Sequence, residues 1–200
     1  MGFGPLFLGL MFLYDFQIGL RHAGAESAYA LLDIFPDAIG WLLILIGLNT
    51  LSKKAEGFDF VKKSTPFLLI LSLFSLAKDT LLFNTFYISG GKDQILAGKA
   101  VDFCEHLLTL AFLYLFFLAL SRFCHKNGED KLSASHSMTS RIALTEGALF
   151  IVAQASSLSF LPQGLKSAIL ILSRLDFLFW VFLIWYGVIA VIRTMIRISE

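Results

Sequence analysis

Six stretches of this 200-residue chain are apolar over nearly the length a helix needs to cross a bilayer: Phe3–Leu20, Pro36–Ser52, Thr65–Asn84, Lys99–Ser121, Ala143–Leu161 and Ala168–Arg193. At 1.5 Å per residue, about 20 residues span the ~30 Å of hydrocarbon. Hydrophobic residues make up 57% of the chain and charged ones 16%, so a water-soluble fold of this size has too little polar surface to cover its apolar content. The expected fold is therefore all-α: a single transmembrane domain over residues 1–200, built as a bundle of about six helices in contact with the lipid bilayer. A net charge of +1 leaves no basic excess for phosphate neutralisation, which argues against nucleic acid as a partner.

The lysines and arginines set the expected orientation. Lys53, Lys54, Lys62 and Lys63 fall after the second stretch. Arg122, Lys126, Lys131 and Arg141 fall after the fourth, and Arg193 and Arg197 at the tail. The opposite connections hold only Arg21, Lys92, Lys99 and Lys166. This bias puts both termini and the loops 53–64 and 122–142 in the cytoplasm, and the chain in a bacterial cytoplasmic membrane. The first stretch could also serve as a signal peptide ahead of Ala23-Gly24-Ala25, but it lacks a basic start and carries Asp15, so it reads as a crossing. In the segment His22–Phe35, Tyr29, Leu32 and Phe35 recur at near-helical spacing, which suggests a helix lying along the interface.

Familiar chemistry is missing from the sequence. It contains no His-Glu-x-x-His, no Gly-x-Ser-x-Gly and no phosphate-cradling glycine loop, so the expectation leans away from an enzyme and calls for no cofactor. Cys104 and Cys124 lie too far apart along one helix to bridge. Cys124-His125 with His136 falls short of a four-ligand shell and reads as polar loop, so no metal is expected.

Ionisable residues inside the stretches are more informative, because each is costly in lipid unless it is paired or hydrated. On the expected topology Asp15, Asp37, Lys78, Asp79, Asp102, Glu105, His106, Arg174 and Asp176 all fall in the outer half of the membrane, and only Glu146 lies near the inner surface. Asp102, Glu105, His106 and Thr109 share one helix face by their spacing. Asp15, Asp37 and Asp79 are the natural partners for Lys78 and Arg174. Six carboxylates face two fixed positive charges, an excess that must be protonated, hydrated or matched by a cation. One reading is an outward-facing acidic cluster that binds or moves a small solute, a cation or protons. The alternative is a structural or accessory subunit whose charges only fix helix packing and whose cytoplasmic loops meet a partner protein. An intramembrane enzyme comes third. Gly40 and Gly47 share a face of the second helix, where small residues let helices approach closely.

The segment Leu32-Asp33-Ile34-Phe35-Pro36-Asp37-Ala38-Ile39-Gly40-Trp41-Leu42-Leu43-Ile44 resembles the Asp-x-Leu-Pro-Asp-x-Ile-Gly-x-Leu-Leu-Ile stretch of a group of uncharacterised small multi-pass bacterial proteins, with Phe35 where leucine is commoner. The resemblance covers about a dozen residues and implies a small multi-pass membrane protein with no assigned activity. In length, helix number and outward-facing polar end, the chain is also similar to the substrate-capturing subunits of energy-coupling-factor vitamin transporters. Its first helix lacks their Ala-x-x-x-Ala docking motif.

Overall fold

The computed structural model describes residues 2–13, 17–21, 29–33, 37–53, 55–80, 92–155 and 162–199. They form six helices and one hairpin: α1 (Phe3–Phe12), β1 (Gln17–Arg21), β2 (Tyr29–Asp33), α2 (Asp37–Leu51), α3 (Asp59–Thr80), α4 (Lys92–Lys126), α5 (Asp130–Ala155) and α6 (Gln163–Ser199). Among the described residues, three helices contain segments long and apolar enough to cross a membrane: Asp59–Lys78, Leu96–Lys126 and Leu178–Ile198. α1 and α2 are also apolar but shorter, with 10 and 15 residues, or about 15 and 22 Å of rise. The chain divides into two compact units. One comprises residues 1–54 and 59–109, the other residues 55–58 and 110–200.

Three departures from the sequence reading have physical causes. The run Phe3–Leu20 is not one helix, because α1 ends at Phe12 and β1 begins at Gln17. Gln17-Ile18-Gly19-Leu20-Arg21 alternates polar and apolar residues around a glycine, a period-2 pattern that disfavours helix. Next, Tyr29–Asp33 is an antiparallel strand paired with β1, Gln17 opposite Asp33 and Arg21 opposite Tyr29, where an interfacial helix was expected. The fold is thus helical with one hairpin added.

The third departure is the largest. Residues 122–142, expected as a cytoplasmic loop, are almost wholly helical: α4 runs to Lys126 and α5 starts at Asp130. The turn between them is a Schellman cap, in which Gly128 N–H donates to His125 O (3.0 Å) and Glu129 N–H to Cys124 O (2.9 Å). Gly128 takes φ +77°, a left-handed conformation that a Cβ disfavours. Such a cap reverses the chain in three residues, so the serine-rich sequence that follows folds back against α4. The expected loop 53–64 shrinks likewise, since α3 begins at Asp59.

In the first unit α1 and α2 run antiparallel with their backbones in close approach. A Cβ on Gly9 would lie 2.7 Å from Gly40 O, and one on Gly40 would lie 2.9 Å from Gly9 O. Gly2 and Gly47 repeat the arrangement two turns away, at 2.3 and 2.7 Å. Four glycines thus hold the pair together where side chains would force it apart. Trp41, Ile44, Leu48, Phe3, Leu6 and Leu10 fill the remaining interface and are almost completely buried. α2 in turn packs on α3.

The second unit contains residues 110–126 of α4 together with α5 and α6. Its apolar core is made by Leu113, Phe116, Phe117, Leu120, Leu183, Val188 and Val191. α4 and α6 run parallel: the Phe117 ring occupies the space a Cβ on Gly187 would take, 2.4 Å from it. Seven residues further along both helices, Cys124 Sγ lies 4.0 Å from Thr194 Oγ1. α5 lies antiparallel to both. Phe58, just before α3, is fully buried and meets Phe123 edge-on at 6.2 Å.

Candidate functional site

The centre of the expected polar cluster is an ion pair in the first unit. Lys78 sits in the last turn of the crossing segment of α3 with its side chain wholly buried. Its ammonium donates to Asp102 of α4. Asp102 is a different partner from the expected Asp15, Asp37 or Asp79, and it lies 24 residues away in sequence. The two halves of the pair differ in environment, since the Asp102 side chain is 47% exposed. Glu105 and His106, one turn along, are half-buried, and Thr109 is buried. The helix spacing therefore carries a polar face from the exposed carboxylate of Asp102 inward to Thr109.

The other expected members are not brought into this description. Asp37 opens α2 and is half-buried there, where a carboxylate at a helix N-terminus is favoured by the backbone dipole. Asp15 lies outside the described residues. Asp79 is on α3 and Arg174 and Asp176 are on α6, but their side chains lie outside the described set. Of the nine expected residues, the structure joins Lys78 to Asp102 and sets Glu105 and His106 on the same helix face.

A second polar cluster is not evident from the sequence pattern. In the second unit His136, Thr139 and Thr194 have no exposed surface. His136 Nε2 lies 2.7 Å from Thr194 Oγ1, and that hydroxyl donates to Ala190 O at 2.9 Å. With its proton committed to Ala190, Thr194 is the acceptor, which fixes the His136 proton on Nε2. The imidazole also stacks on Phe117 at 5.9 Å and 18°. Ser121 Oγ donates to Ser133 O at 2.9 Å, tying α4 to α5. Cys124 and His136 thus converge on Thr194, while His125 turns away to an exposed contact with Asp130 at 2.8 Å. Among the described residues no three His, Cys, Asp or Glu side chains are grouped to hold a metal ion.

No known relative guides the reading of either cluster. No protein-family model matches the chain, and neither a curated protein nor a solved structure matches it. Function has to be read from the two clusters themselves. The Lys78–Asp102 pair leaves part of a carboxylate accessible beside a glutamate and a histidine, an arrangement that can accept hydrogen bonds or a cation. The His136–Thr194 cluster is sealed by Phe117 and the α4–α6 contact, and its hydroxyls are spent on backbone carbonyls, which suits packing.

Proposed function

We propose that this chain is a multi-pass protein of a bacterial cytoplasmic membrane, with both termini inside and about six passes. In this reading it binds or moves a small cation, protons or a hydrogen-bonding solute at the polar face headed by Asp102. One observation carries the reading: a fully buried lysine is paired with a carboxylate that stays 47% exposed. A partly exposed carboxylate keeps acceptor capacity for a cation or a hydrogen-bond donor that a fully buried one would not offer. Here Lys78 pairs with Asp102, whose side chain stays partly exposed, and Glu105 and His106 extend the same face. Three segments with membrane-crossing length and apolarity support the location. The shorter apolar helices α1 and α2, locked by glycines, together with α5 would supply the other three passes.

Two measurements test this. In a background lacking Cys104 and Cys124, Lys99→Cys should react with an impermeant thiol reagent in intact cells, while Asn127→Cys should be protected until the cells are opened. The opposite pattern would reverse the topology and move the site to the inner face. With purified protein, a thermal-shift series against alkali cations, divalent cations and primary amines should give a stabilising hit that Asp102→Asn abolishes. If no probe shifts the parent and Asp102→Asn merely lowers its melting temperature, the pair is a packing device.

A further inference from the structure

The helix register in the second unit places a polar segment at the level of its most apolar neighbours. Leu110–Ser121 of α4 and Phe177–Ile192 of α6 contain no Asp, Glu, Lys, Arg or His. The Phe117–Gly187 and Cys124–Thr194 contacts set these two runs side by side. Against α4, Ser133 meets Ser121, His136 stacks on Phe117, and Gly147 faces Leu110. Against α6, Ser135 lies 3.5 Å from Tyr186 and His136 meets Thr194. The α4 contacts set residues 133–147 of α5 beside the uncharged run of that helix, and on α6 Ser135 falls beside Tyr186 while His136 meets Thr194 just past the end of the run. If those runs lie in hydrocarbon, as the reading of α4 and α6 as membrane crossings requires, then 133–147 lies there too. The hydropathy of α5 alone points instead to residues 143–161.

This placement turns Arg141 into an intramembrane charge. It lies eight residues past Ser133, about 12 Å along the axis. Its side chain is exposed between Met138 and Leu144, which are 53% and 61% exposed. Among the described residues it has no ionic partner. An outward-facing guanidinium at that depth is stabilised by reaching the interface and by pairing with an anion there. Helical side chains tilt toward the N-terminus, so Arg141 leans toward the start of α5. Lys126, Lys131, Arg193 and Arg197 are all exposed at that end and mark the interface where acidic headgroups collect.

We propose that Arg141 binds the phosphate of an anionic phospholipid, drawn down the outer face of α5, with the acyl chains lying against Met138 and Leu144. Arginine suits this task because its planar fork grips phosphate oxygens in pairs and its long stem reaches toward the headgroup layer.

The test uses the purified full-length protein, titrated in mixed micelles with phosphatidylglycerol or phosphatidylcholine and followed by thermal midpoint and native mass spectrometry. Phosphatidylglycerol should stabilise the parent at concentrations several-fold below phosphatidylcholine. Arg141→Gln should weaken phosphatidylglycerol binding at least fivefold, Arg141→Lys should recover much of it, and Arg197→Gln should stay within twofold of the parent. Equal response to the two lipids, or unchanged binding by Arg141→Gln, overturns the site. Nitroxide labels on Met138→Cys and Ile189→Cys in phosphatidylglycerol vesicles separate the causes of failure. Both should favour oxygen over a nickel chelate as collision partner. A lipid-exposed label at 189 with a water-exposed one at 138 defeats the α5 placement alone. Water exposure at both defeats the membrane crossing of α6 and the site with it.

Discussion

In the first unit Lys78 takes a full charge to a position with no exposed surface, and a half-exposed Asp102 answers it. In the second, His136, Thr139 and Thr194 are just as deeply buried, yet they are neutral hydrogen-bonding groups tied to one another and to backbone carbonyls. Sites of the second kind can be sealed, because neutral hydrogen-bonding groups need no counter-charge, and the cost is confined here to His136 Nδ1, which is buried without a hydrogen-bond partner among the described residues. Sites of the first kind stay open on one side, because full desolvation of both ions costs more than their attraction returns. That openness is what makes the Lys78–Asp102 face a binding candidate, and the closure of the His136 cluster is what makes it a packing element.

The contrast breaks most sharply at Asp102. Asp102→Asn removes a carboxylate paired with the buried ammonium and should cost about 3 kcal/mol, whereas Lys78→Met leaves a half-exposed carboxylate and should cost about 1 kcal/mol or less. Equal losses in denaturant unfolding would mean that the two environments do not differ as described. Next comes Thr194→Val, which keeps the volume but removes the acceptor for His136 Nε2–H; about 2 kcal/mol of destabilisation is expected. This variant should leave the cation and amine thermal-shift response untouched, and loss of that response would join the sealed cluster to the binding face. Gly128→Ala strains the left-handed turn residue of the α4–α5 reversal and should cost about 1 kcal/mol. Ser121→Ala removes one interhelical bond to Ser133 O and should cost about 0.5 kcal/mol.

The sequence revealed some of this clearly and some of it not at all. α2 is readable almost to the residue, since its apolar run Ala38–Leu48 is bounded by Pro36 and by Asn49, Thr50 and Ser52, and the observed helix is Asp37–Leu51. The shared face of Gly40 and Gly47 is also visible in the spacing. Their partners Gly2 and Gly9 lie in a separate apolar run and become evident only when the two helices are laid antiparallel. Asp102, Glu105 and His106 announce a polar helix face by their spacing. The identity of the residue that meets Lys78 depends on how α3 and α4 are set against each other, which no local pattern encodes.

α5 is the instructive failure. Its first half reads as loop because Ser133, Ser135, His136, Ser137, Thr139 and Ser140 pull the mean hydropathy down. Hydropathy averages over faces, however, while packing sorts them. Leu132, His136, Thr139, Ala143 and Glu146 follow the 3–4 spacing of one buried stripe. The hydroxyls of Thr139 and Ser140 turn back to Ser135 O and Ser137 O, which lets a serine-rich helix enter an apolar surrounding. The hairpin is hidden in the sequence for the opposite reason. Its residues are apolar enough to be counted with α1, and the alternation in Gln17–Arg21 is lost when only total apolarity is scored.

The central claim is that Lys78 exists to present Asp102, and a double-mutant cycle measures it directly. Stability and solute-induced thermal shift would be recorded for Lys78→Met, Asp102→Asn and the double variant. The account predicts that the double variant is more stable than Asp102→Asn by at least about 1.5 kcal/mol, since no uncompensated buried charge remains, and that it still shows no shift with any probe that moves the parent. Additive losses together with a preserved shift in the double variant would contradict it.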